Sequence, residues 1–118
     1  MKSPSPRRRI VVTPHDGRVT VRFGDTVVAE SERALDLLEG SYPVVVYVPR
    51  DDVDETVLER TSHTSHCPFK GDANYFSVSD GDRVAENAAW TYEAPFPEVA
   101  EIENALAFYT NKVTVEVA

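Results

Sequence analysis

Cysteine occurs once, as Cys67. An internal disulfide is thereby excluded, and the chain suits a reducing compartment, so a cytoplasmic setting is expected. No apolar run approaches the roughly 20 residues that a membrane-spanning helix needs. The basic N-terminus has no apolar stretch behind it that would make a secretory signal. There is no paired Cys-x-x-Cys for a structural zinc site, no Gly-rich phosphate loop and no Gly-x-Ser-x-Gly elbow for a serine hydrolase. Internal repeats are absent as well. Basic surplus is also lacking: the net charge is −8. The first nine residues hold Lys2, Arg7, Arg8 and Arg9, four of the twelve basic residues, and no acid. The remainder therefore carries eight basic against 20 acidic residues, a net charge of −12. A body so acidic repels nucleic-acid phosphate, and no nucleic-acid partner is expected.

What is present suits one small globular domain. At 118 residues the chain is long enough for a modest core and too short for two. Residues 1–9 read as a disordered basic tail, because Ser3-Pro4-Ser5-Pro6 offers nothing to pack. Residues 10–118 read as a single domain. Ile10-Val11-Val12 is a short apolar run, and His15-Asp16-Gly17 a turn. Arg18 to Phe23 alternates polar and apolar side chains and pairs with Thr26 to Glu30 across Gly24-Asp25, the pattern of a hairpin. Ser31 reads as the cap of a short helix carrying Ala34, Leu35, Leu37 and Leu38, stopped by Gly40. Val44 to Val48 reads as a strand buried on both faces.

Asp51 to Arg60 is acid-rich, with Val57 and Leu58 as its anchors, and Thr61 to Ser65 reads as a polar loop. Ala73 to Val78 and Arg83 to Tyr92 make a second hairpin about Asp80-Gly81-Asp82. Glu98 to Ile102 forms a helical turn. Ala105 to Tyr109 and Val113 to Val117 make a last hairpin around Thr110-Asn111-Lys112. Six to eight strands with one or two short helices predict a mainly β fold, a compact bent sheet or barrel. No helices of crossover length separate the strands, which counts against a doubly wound α/β fold.

The stretch from His63 to Tyr75 gathers two of the three histidines, the only cysteine and one of three lysines. Within Cys67-Pro-Phe-Lys-Gly71, Pro68 fixes φ and Gly71 permits a left-handed exit, so a tight turn holds Cys67 beside Lys70. An ammonium or a protonated His66 at that distance would activate the thiol. Against this stands a plain alternative, a buried thiol and a solvated turn lysine. A metal site from His63, His66 and Cys67 is a second option, with zinc as its ion, although adjacent residues seldom converge on one ion. In the Arg83–Tyr92 strand, alternation puts Val84, Glu86, Ala88, Trp90 and Tyr92 on one face and Ala85, Asn87, Ala89 and Thr91 on the other. Glu86 beside buried aromatics would either pair with a cation, Lys70 being the expected partner, or become an acid of raised pKa; the plain alternative is core packing, with Glu86 exposed at a strand edge.

Those residues resemble a known family. Cys67-Pro-Phe-Lys-Gly71 with Ala73 and Tyr75, Ala85-Glu-Asn-Ala-Ala-Trp-Thr-Tyr92 and Phe108-Tyr109 are similar to the domain-of-unknown-function family DUF427. Arg33-Ala34-Leu35 and Pro49-Arg50-Asp51-Asp52-Val53 extend the likeness, which covers roughly residues 18 to 115. The resemblance implies a compact β fold similar to the Mss4-like group. The family also carries a nucleotidyltransferase-like label, for which the chain has no phosphate loop, Gly71 following a lone Lys70.

The function expected is the binding of a small polar or anionic ligand in a pocket around the Cys67–Gly71 turn. Cys67, Lys70 and Glu86 are its candidate catalytic groups. His66, Lys70, Gly71, Tyr75, Asn87, Trp90 and Tyr92 are its candidate contacts, with Lys70 as charge anchor. No resident cofactor is expected, and monomer and homodimer are both open. The competing expectation is a non-enzymatic structural or protein-interaction domain, in which the motif only builds a turn and core.

Overall fold

A computed structural model describes residues 9–118. The tail expected over residues 1–9 lies, apart from Arg9, outside the described residues. The chain is mainly β, with ten strands among the described residues: β1 (Ile10–Pro14), β2 (Val19–Phe23), β3 (Thr26–Ser31), β4 (Leu35–Glu39), β5 (Val45–Tyr47), β6 (Leu58–Cys67), β7 (Gly71–Ser79), β8 (Val84–Tyr92), β9 (Leu106–Phe108) and β10 (Thr114–Val117). Short 3-10 turns occupy Arg50–Asp52, Glu55–Val57 and Pro97–Ile102. No helix among the described residues is long and apolar enough to cross a membrane.

The strands form three antiparallel sheets with the orders β1-β4-β5, β10-β2-β3 and β6-β7-β8-β9. They do not close into a barrel. Val48, just past β5, exchanges two backbone hydrogen bonds of 2.8 Å with Leu106 of β9, which joins the first sheet to the third. Two apolar clusters fill the interior. One gathers Val19, Val21, Val28, Phe76, Val78, Ala85 and Ala89. The other gathers Leu37, Tyr47, Ala73, Tyr75, Tyr92, Val99 and Ile102. Strand β7 feeds both, Phe76 and Val78 facing one cluster and Ala73 and Tyr75 the other, as a period of two requires.

Four expectations are corrected. Residues 35–39 form a strand instead of a helix: β4 lies between β1 and β5, and Leu37 and Glu39 point inward while Leu38 stays exposed. Eight residues between Ser31 and Gly40 are too few for a helix to hold itself together, whereas two flanking strands satisfy the backbone on both sides. Ser31 accepts from the Arg33 amide and donates to Asp52, so it builds a turn instead of a helix cap. The Thr61–Ser65 segment is part of β6, an edge strand paired only with β7, where polar side chains remain hydrated. Val44 to Val46 are not buried on both faces; Val44 is exposed and its two neighbours half-buried. The last two strands do not pair with each other. Lys112 and Val113 donate to the Tyr109 carbonyl in the turn between them, after which β9 stays with β8 and β10 crosses to β2.

Candidate functional site

The Cys67–Gly71 motif is the turn of the β6–β7 hairpin, closed by a 3.2 Å bond from the Lys70 amide to the Cys67 carbonyl. Gly71 has φ +119°, and a side chain there would press on the Ala94 carbonyl. The Lys70 carbonyl accepts from the Phe96 amide at 2.9 Å, so the turn is pinned from the far side as well. Held in this way, the Lys70 side chain runs inward. Its Nζ meets Glu39 Oε1 at 2.6 Å, with both side chains only 11% exposed. Lys70 thus pairs with Glu39 of β4 and not with Glu86, and its charge is engaged within the protein.

Around this pair stands a ring of aromatic groups. Register places Tyr75 opposite Trp90. The Trp90 indole donates through Nε1 to the Tyr47 hydroxyl at 3.2 Å and lies against the Tyr109 ring, centroids 4.6 Å apart. The Tyr75 hydroxyl meets Ser65 Oγ at 2.9 Å, and the His63 ring rests edge-on against Tyr75 at 4.4 Å. Cys67 is half-buried and packs on the same cluster as Tyr47, Tyr75, Tyr92 and Trp90. Burial pushes the Tyr47 and Tyr92 phenols well above their ordinary range.

Beside the aromatic ring opens a cleft of about 420 Å³. Val44, Val45, Val46, Trp90, Phe108 and Tyr109 are among the residues that line it, and Glu39 reaches its lining. Tyr109 is pushed up to about 12, by burial first and by its polar contact with Tyr75 second. An acid whose folded value is raised stabilises fully below its unfolded value, near 10, and that contribution is lost as pH rises to about 12. Tyrosinate absorbance should therefore show a late step near pH 12 that disappears in Tyr109→Phe, and stability should fall across the same interval.

The expected site residues separate into two groups. Cys67, Lys70, Gly71, Tyr75, Trp90 and Tyr92 meet around one hairpin turn and one aromatic cluster. His66 and Glu86 do not join them. The His66 ring is exposed and bonds Asp72 through Nδ1 at 2.6 Å. Glu86 is exposed in a bulge of β8, where Phe76 pairs with Ala89 but Val78 pairs with Ala85. Asn87, at φ +50°, forms the corner of that bulge; its Oδ1 accepts from Thr61 at 2.6 Å and its amide donates to Ser77. The same bulge carries Ala88 into the other cluster, away from the Trp90 face on which strict alternation puts it. Among the described residues no three His, Cys, Asp or Glu side chains gather for a metal, and His63 and His66 have Tyr75 and Asp72 as neighbours.

Sequence reasoning missed Glu39 and Tyr47. The helix reading hid Glu39, although Leu35, Leu37 and Glu39 alternate as an inward face would. Tyr47 read only as one residue of an apolar strand.

A family model described as a domain of unknown function (DUF427) matches residues 11–118. No curated protein matches the chain.

Proposed function

The chain belongs to the domain-of-unknown-function family DUF427, and from that premise we propose that it is a binding domain for small, largely apolar molecules carrying a polar end. The ligand enters the cleft beside the Lys70–Glu39 pair and lies flat between the valines of residues 44–46 and the Trp90 and Tyr109 rings. One observation carries this reading: a cleft of about 420 Å³ with mainly apolar walls has Glu39, one member of the buried Lys70–Glu39 pair, in its lining. Ligand sites are commonly of this size and composition, apolar walls with a few convergent polar groups. Because Lys70 is engaged by Glu39, an anionic ligand is less favoured than the sequence suggests; the polar end of the ligand meets a neutralised pair. Cys67 packs behind the cleft, and we assign it no reaction.

Trp90 is the sole tryptophan and lines the cleft, so its emission reports occupancy directly. Titration with the neutral dye N-phenyl-1-naphthylamine should enhance the dye and quench Trp90. Val44→Arg, at a position 49% exposed, should abolish both effects and leave thermal unfolding unchanged. Dye binding that ignores Val44→Arg and leaves Trp90 emission untouched would refute the cleft as the site.

The exposed Tyr42 and Val44 at its rim favour a second reading, a protein-interaction face. A monomer–dimer equilibrium that Val44→Arg shifts, with no dye binding in either form, would select it. A lone thiol supports a cytosolic setting. Kinship with the Mss4-like group rests on the bent β architecture alone, since the paired cysteine ligands of that group are absent.

A further inference from the structure

A second depression is lined in part by His63, whose ring rests on Tyr75, and two bulges build it. In β6 the register slips between Arg60 and Thr64, and in β8 it slips opposite Ser77. Strands β6 and β8 are separated by β7, yet their bulges touch: Thr61 Oγ1 donates to Asn87 Oδ1 at 2.6 Å, while Ser77 Oγ below accepts from the Asn87 amide at 3.1 Å. A side chain as small as serine at position 77 leaves room for that bridge. The result is a shallow polar groove of about 560 Å³.

The groove offers a particular set of groups. The hydroxyls of Ser62 and Thr64, the amide nitrogen of Asn87 and the carboxylate of Glu86 line it and have no side-chain hydrogen bond among the described residues. The exposed His63 ring, held against Tyr75, adds a flat surface. Donors and acceptors are therefore mixed over a few ångströms on a rigid, internally bonded floor. A divalent cation is poorly served, since Glu86 is the only carboxylate in the lining and hard cations take six or more oxygen ligands. An anion is repelled by Glu86, and the Lys112 ammonium is held on the Glu86 carbonyl oxygen at 2.6 Å, outside the lining.

We infer that this groove binds a neutral polyhydroxyl ligand, a short saccharide, whose hydroxyls bond to Ser62, Thr64, Asn87 and Glu86 while a C–H face rests on His63. The site is independent of the apolar cleft and stands whether or not the cleft is occupied.

The test is an amide NMR titration with maltotriose, cellotriose and triacetylchitotriose, each to about 20 mM, a range that covers the millimolar affinities of weak binding, on the order of −4 kcal/mol. At least one trisaccharide should shift the amides of residues 61–64 and 86–88 in a saturable way and leave residues 44–46 unmoved. Thr64→Ala and Glu86→Ala alter exposed side chains and should keep the fold. Each should weaken binding about two- to tenfold, the effect of one lost hydrogen bond. No saturable shift with any of the three sugars overturns the inference. So do shifts that map to residues 44–46, shifts that both variants leave unweakened, or the same groove shifts produced by inorganic phosphate or calcium ions.

Discussion

Glu39→Met is expected to destabilise the fold by about 3–5 kcal/mol, the range seen when one partner of a buried ion pair is removed. The substitution leaves the Lys70 ammonium, 11% exposed, facing a methyl group where Oε1 had stood 2.6 Å away. Lys70 has little freedom to reach water, because its own backbone is clamped between the Cys67 carbonyl and the Phe96 amide. The double variant Glu39→Met/Lys70→Met should recover most of the loss, since an apolar pair of similar volume often matches a buried ion pair. Urea unfolding of the two variants and the parent gives the comparison. A single-variant loss under about 1 kcal/mol, the worth of an exposed pair, would mean that solvent already reaches the ammonium. It would also remove the ion pair as the polar element of the cleft.

Tyr47→Ala should cost a similar amount, about 3–5 kcal/mol, as large aromatic deletions from a packed interior do. Tyr47 is 1% exposed and sits where three features meet: the β4–β5 pairing, the perpendicular Trp90 ring with centroids 6.5 Å apart, and the second apolar cluster. Tyr47→Phe keeps the ring and removes only the acceptor for Trp90 Nε1, so about 1 kcal/mol is expected. The difference between the two separates packing from hydrogen bonding. Near-UV circular dichroism should register both, because the indole loses its fixed orientation in the alanine variant and keeps most of it in the phenylalanine variant. An alanine variant with parental stability would show that Tyr47 does not hold the cleft wall in place.

Much of the local structure was legible from the residues. Gly24-Asp25 and Asp80-Gly81-Asp82 turn as their types demand; Asp80 accepts from the amides of Asp82 and Arg83, which holds its carboxyl below the usual range. The alternation of Arg18 to Phe23 gave a true strand: Val19 and Val21 enter the core, while Arg18 stays exposed and Arg22 half-buried on the other face, although Thr20 between them is covered as well. The same logic misread residues 31–40, where four apolar side chains fit helical and strand periods alike and only the neighbours decided between them. It misread Thr61 to Ser65 because an edge strand need not be apolar. The Asn87 bulge left no pattern at all, since an asparagine in the left-handed region looks in sequence like any polar strand residue.

For the site, turn chemistry alone was enough to put Cys67 next to Lys70, since φ at Pro68 and Gly71 depends on those residues and their immediate neighbours. Which acid would neutralise Lys70 was beyond reach. Glu39 and Glu86 are both glutamates near apolar residues, and choosing between them requires knowing which strand lies across the turn. Sheet order is set by long-range pairing and by the burial it achieves, quantities that belong to the assembled chain. Local conformation was therefore written in the order of the residues, while the ion pair, the cleft and the polar groove came into being only when distant strands met.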